Sequence, residues 1–257
     1  MDTNMTVDER IEQANAYIAA LELPDDDASL AQFRDVPLVL EDDKEGGAVD
    51  AGSLVSFVSG VSKTHKEDVL NSTLLAQLAA NKAWNREEQT VQWYDKYHEV
   101  LENIGWVISG FEFSKYKASG SQFEVEQVVL EVLAAIATGP QIAAAIAIMK
   151  ALKEVSKGSK PFKLWDEQTN NGSKGNFQIS SCIEDDSNVA MALGAFYFKA
   201  TKVDFQFLWF KFSSDSTEIY KGGQVVVLNE EIYGTVRKAI KDKLGQKAVD
   251  YVAGIDI

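Results

Sequence analysis

The side chains able to do chemistry are few and scattered along the sequence. His65 and His98 fall in different predicted helices, and neither stands in a pattern that sets a serine or cysteine nucleophile beside it. No His-x-x-x-His, Cys-x-x-Cys or Asp-rich twelve-residue loop closing on a Glu occurs, so the spacings used for zinc and calcium are missing. Glu184-Asp185-Asp186 is an acidic run whose ordinary role is a solvated turn between strands. Gly46-Gly47 and Gly222-Gly223 lack the Lys-Ser/Thr or third glycine of phosphate-binding loops and read as turn glycines. Cys182 is the only cysteine and reads as a buried, inert thiol. No catalytic, cofactor-binding or metal-ligating residue is assigned, and the expectation is a protein that is not an enzyme and uses no cofactor.

Two other features invite a function. The stretch Val132 to Met149 carries no charged residue, although one residue in four of the chain is charged. Aromatic residues crowd Phe196, Tyr197, Phe198, Phe205, Phe207, Trp209, Phe210 and Phe212, where a sheet core is the simplest role and a lipid or ligand surface the alternative.

These features sit within a helix-then-strand order. Ile11, Ala14, Ile18 and Leu21 predict an amphipathic helix ended by Pro24 and three aspartates. Val36 to Leu40 predicts an edge strand, followed by a flexible acidic link through Gly46-Gly47. Residues 49–156 are predicted helical, with Val69, Leu70, Leu74, Leu75 and Leu78 on one face and Trp93, Tyr97, Val100, Leu101 and Ile104 on another. Gly139-Pro140 divides the uncharged stretch into a helical hairpin. Each arm is shorter than the ~20 residues that a helix needs to cross a bilayer. Residues 156–175 read as a polar linker.

After it the apolar period becomes two. Phe177 to Ile183, Val189 to Lys199 and Phe205 to Phe212 predict strands, the last apolar on both faces and therefore central. Gly222-Gly223 predicts a turn into Gln224 to Leu228, closing a meander over 176–228, and Asn229 caps a final helix over 229–244. The fold class is α+β, an antiparallel meander covered by helical hairpins. Residues 1–48 form an N-terminal piece, expected to be removable, ahead of a single domain over 49–257.

The strands Gly175 to Ile179, Asn188 to Phe198 and Phe205 to Phe212, with the uncharged hairpin before them, resemble the Cyt δ-endotoxin family over residues 122–230. That resemblance implies a non-enzymatic, membrane-perturbing cytolysin or virulence-type protein whose helices move aside so that strands engage lipid. It marks Val132, Leu133, Ile136, Ile142, Ile146, Met149, Phe196, Phe198, Phe205, Phe207, Trp209 and Phe210 as membrane-interaction candidates. A non-lytic binding module with the same fold is the alternative.

Charge limits the partners. With 25 Lys and Arg against 39 Asp and Glu, the net charge of -14 disfavours nucleic acid and strongly anionic lipid, and leaves neutral lipid surfaces open. Membrane lipids and a homo-oligomer on the membrane are the expected partners. The polar N-terminus lacks a signal-peptide layout, so the expectation is cytoplasmic synthesis with release by another route.

Overall fold

A computed structural model describes residues 5–33, 38–186, 188–201 and 206–257. In chain order it contains α1 (Val7–Ala20), β1 (Gly46–Asp50), β2 (Ser53–Phe57), α2 (Lys63–Ala83), α3 (Thr90–Asn103), β3 (Trp106–Ile108), β4 (Ser114–Lys115) and β5 (Gln122–Glu124). Then follow α4 (Val125–Ile136), α5 (Gly139–Glu154), α6 (Lys160–Thr169), β6 (Lys174–Asp185) and β7 (Asn188–Lys199). The chain ends with β8 (Lys211–Ser213), β9 (Glu218–Leu228), α7 (Glu230–Leu244), α8 (Lys247–Asp250) and β10 (Val252–Ile255).

The main sheet runs β10-β1-β2-β6-β7-β9-β3, with β4 also on β9. Its pairs are antiparallel except β2 with β6. Helices α4, α5 and α6 pack on one face. Helices α2 and α3 pack on the other, with α7 and α1 outside them. The class is α+β, with the long antiparallel strands β6, β7 and β9 at its centre.

Several helices form where their caps and apolar faces place them. Thr6 and Glu9 make a capping box for α1, which buries Ala14 and Ile18. Ser62 caps α2 by accepting the His65 amide. Asn229 caps α7 by accepting the Ile232 amide, and Gly245 ends that helix at φ +50°. In α3, Trp93, Tyr94, Tyr97, Val100 and Leu101 face the core.

Other segments depart from expectation. Residues 46–57, expected as a flexible link running into helix, form the hairpin β1–β2. Both of its faces are buried, so it lacks the alternation that marks a strand. Gly46 therefore opens a strand. Val36 and Pro37 of the expected edge strand lie outside the described residues, and 38–40 are not in a strand. The linker 156–175 contains α6, which Ser159 caps and Pro161 opens.

The expected central strand 205–212 is not one. Phe205 lies outside the described residues, Phe207–Trp209 forms a 3-10 turn, and β8 pairs with β5 alone in a separate ribbon. Its residues are apolar in both directions because the turn drops Phe207 and Leu208 fully into the core. Gly222 and Gly223 stand inside β9 rather than in a turn. A Cβ on Gly222 would lie 2.5 Å from the Phe111 ring, and one on Gly223 would lie 2.6 Å from Val132 Cγ1. Close packing against the strand, not a bend, explains both glycines.

Candidate functional site, the uncharged helical hairpin and the sheet beneath it

The hairpin is built from α4 and α5, joined by Ala137 and Thr138. Gly139 is the first residue of α5 rather than the stop of α4. The corner is set by Thr138 and Gln141, whose side chain accepts the Thr138 amide at 3.0 Å in a capping box. Gln141 Nε2 also donates to the Ser181 carbonyl of β6 at 2.8 Å, pinning the corner to the sheet.

Val128, Val129, Val132 and Leu133 of α4 and Ala145, Ile148, Met149 and Leu152 of α5 are buried toward the strands. Two glycines let these helices approach. Gly223 receives Val132, and Gly47 receives Ile148, whose Cδ1 would lie 2.3 Å from a Cβ there. Apart from the Gln141 bond, a polar tie among the described residues is the exposed pair Lys221 to Glu131 at 3.5 Å. Apolar burial therefore holds the hairpin far more than directed bonds do.

The two faces of the sheet differ in chemistry. Toward α4–α6 point Phe177 and Ile179 of β6, Gly194, Phe196 and Phe198 of β7 and Ile219 of β9, following the register Phe177 to Phe196 to Lys221. Trp165 of α6 and Phe207 complete an aromatic cluster. Phe207 stacks on Trp165 at 5.7 Å and touches Phe177 and Phe198, each at 5.0 Å.

The opposite face presents Ser53, Asn176, Gln178 and Gln224 to α2 and α3. Ser53 Oγ donates to Gln178 Oε1, Gln178 Nε2 to the Tyr94 hydroxyl, and that hydroxyl to Asn176 Oδ1, all within 2.7–2.8 Å. Arg86, buried, donates to the carbonyls of Gln168 and Asn176. One face is latched by a hydrogen-bond network; the other, apart from the Gln141 bond, is held chiefly by packing.

Of the residues marked from the sequence, Val132, Leu133, Met149, Phe196, Phe198 and Phe207 lie buried between hairpin and sheet. Ile136, Ile142 and Trp209 are half-buried, with Lys153 over the Trp209 ring at 5.5 Å. Ile146 and Phe210 are exposed at 43% and 47%. Phe205 is outside the described residues.

Around Ile146, which the sequence marked, the hairpin tip adds surface that the sequence did not single out. Ala134, Ala135, Thr138, Gly139, Pro140 and Ala143 are exposed, and none is charged. Next to it, on the same sheet face and running on from Gly223 beneath Ile136, stand Val225 and Val227 of β9 and Val107 of β3, exposed at 40%, 37% and 57%. Three valines alternating on strands signal a covered face, and only the register shows that the hairpin stops short of them.

The titratable groups near the sheet are placed for structure. Cys182 is buried on the α2/α3 face, and burial pushes its thiol up. Asp50, wholly buried with Thr73 donating to it, has its carboxyl held well above the usual range by burial. Glu184, expected in a solvated turn, accepts the Ser62 amide at the start of α2 at 2.8 Å. Among the described residues, no helix is long and apolar enough to cross a membrane.

Neither a protein family nor a curated protein matches the sequence. Solved structures do. A δ-endotoxin is 12% identical with a TM-score of 0.42, over 75% of this chain and 86% of its own. The activated Cyt2Ba monomer from Bacillus thuringiensis subsp. israelensis is 14% identical with a TM-score of 0.42, over 70% of this chain and 97% of its own. The Evf virulence factor is 11% identical with a TM-score of 0.34, over 92% and 88%. The chain resembles these Cyt δ-endotoxin structures at low sequence identity.

Proposed function

We propose that this protein binds lipid membranes through the tip of the α4–α5 hairpin and perturbs them when the hairpin leaves the sheet. The observation that carries the reading is the charge-free exposed tip, continued by the uncovered valines, on a protein of net charge -14. Exposed apolar surface of this kind gains free energy on entering the interfacial region of a bilayer, at about 25 cal/mol per Å² withdrawn from water. Neutral lipid suits it, because anionic headgroups repel the remaining surface.

The second step follows from the two-faced sheet. Strands β6, β7 and β9 are 12, 12 and 11 residues long. A tilted strand needs about 9–11 residues to cross a bilayer. Departure of the hairpin, followed by α6 and the Phe207 turn that cap the aromatic cluster, bares Phe177, Ile179, Phe196 and Phe198 on one side, while Asn176 and Gln178 stay on the other. On β6 that is the apolar-out, polar-in alternation of strands that meet lipid and water together. No catalytic residue, cofactor or nucleic acid enters this reading.

Ile146→Glu tests it at the tip. The site is exposed, so the charge leaves the fold intact, and vesicle flotation reads the binding. Association with neutral vesicles is expected to fall about tenfold, from the lost apolar contact and the charge carried toward lipid. Undiminished binding by this variant contradicts a role for the tip, and binding without dye release favours a non-lytic lipid-binding module.

A further inference from the structure

His65, on the first turn of α2, is 7% exposed and sits among carboxylates from three elements. Its Nδ1 lies 2.9 Å from Glu184 Oε2 at the end of β6, near but out of line for a directed hydrogen bond. Its Nε2 lies 3.5 Å from Glu230 Oε2 at the start of α7. Asp68, one turn along α2, is wholly buried.

Arg237 organises the other two acids without satisfying them. Its Nε and Nη2 donate to Asp68 at 2.8–3.0 Å, and Nη2 donates to Glu230 Oε1 at 2.7 Å. Glu230 Oε2 is left buried with no donor, turned to the imidazole. Each carboxylate oxygen of Asp68 has a second lone pair beyond the one Arg237 uses. Three carboxylates and one guanidinium thus surround the nearly buried imidazole, with Asp68 wholly buried and Glu230 opening the site to solvent. Carboxylates gathered in this way with too few donors favour a bound cation.

We propose that His65 Nε2, Glu230 Oε2 and an Asp68 carboxylate oxygen bind a divalent ion of the zinc class, with Glu184 behind the imidazole and Arg237 behind the acids. One nitrogen and two oxygens are a usual zinc donor set, with water in the fourth place. A ligating histidine backed by a carboxylate at its other nitrogen, and ligating acids held by a donor, are the supports that such sites use. The three groups offer atoms within 4.8 Å of one another. Tetrahedral zinc with bonds of about 2.0–2.1 Å sets its ligands about 3.4 Å apart, which the Nε2 to Oε2 separation already approaches. The half-exposed Glu230 side chain closes the remainder. The bound ion ties α2 to α7 beside the β6–β7 turn, on the face away from the hairpin, so this site is independent of membrane binding.

The test is calorimetric titration of zinc, and separately of magnesium and calcium, into the EDTA-stripped full chain. One zinc per chain is expected, with a micromolar or tighter Kd, a Tm raised by about 5 °C at saturation, and no comparable response to magnesium or calcium. His65→Gln and Glu230→Gln each weaken zinc at least about tenfold, and His98→Gln leaves it unchanged. X-ray absorption of the zinc-loaded native chain, which needs no variant to fold, is expected to show one imidazole with oxygen ligands and no sulfur. Absence of saturable binding up to about 1 mM zinc, native-like affinity in His65→Gln, or a shell without imidazole overturns the assignment.

Discussion

His98 lies in the sheet's polar interface, 2.8 Å from Gln224 and against Tyr94 and Phe111, and burial pushes its imidazole down to about 4. In the unfolded chain it titrates near its ordinary value of 6.5. Between those values the unfolded state binds the extra proton, so stability falls as pH drops from about 6.5 toward about 4, by at most about 3 kcal/mol. Asp50 runs the other way. Burial favours its protonated form in the fold, so the stability that it contributes declines as pH rises above the ordinary carboxylate range. Urea unfolding at pH 7.5, 5.5 and 4.5 separates the two when native protein is compared with His98→Gln. The variant is expected to lose the His98 part of the acid-side decline, and an unchanged slope contradicts this account of the polar face.

The hairpin is an element whose corner matters more than its length. Gln141 joins Thr138 to Ser181, so Gln141→Leu removes the capping bond and leaves the Ser181 carbonyl buried without its donor. The expected cost is about 1–3 kcal/mol. Hydrogen exchange is expected to quicken across 125–154 while β6 and β7 keep their protection, and uniform quickening contradicts a separable hairpin.

This hairpin was legible in the sequence because charge vanishes over Val132–Met149 and Gly139-Pro140 interrupts it. The pair β6–β7 was legible because Phe177 and Ile179 alternate with polar residues, and α7 because Asn229 and Gly245 bracket it. The β1–β2 hairpin was not, since Ala48-Val49 and Leu54-Val55 are buried on both faces and carry no period. The aromatics at 207–212 misled because a turn, rather than a strand, can also point apolar groups in two directions into a core. The acids around His65 come from positions up to 165 residues apart, and no local spacing announces them.

Over the whole molecule, the sheet is fastened unequally. Asn176, Gln178 and Gln224 bind α3 by hydrogen bonds to Tyr94 and His98, whereas Phe177, Phe196 and Phe198 meet α4–α6 by packing alone. Water favours the packed arrangement, since it hides the aromatic face. A bilayer removes that preference, because lipid replaces the hairpin as an apolar cover, while the hydrogen-bonded face loses nothing by staying closed. Under the proposed function, the asymmetry decides which helices leave and lets an acidic protein meet lipid through its uncharged hairpin tip.

The most direct measurement places a reversible lock across that interface. Val132→Cys with Gly223→Cys joins α4 to β9, where a Cβ on residue 223 lies 2.6 Å from Val132 Cγ1, and Cys182 is too deeply buried to compete. Dye release from neutral vesicles is then read with the disulfide formed and after its reduction. Vesicle binding is expected in both states but release only after reduction; equal release from the locked protein would contradict departure of the hairpin from the sheet.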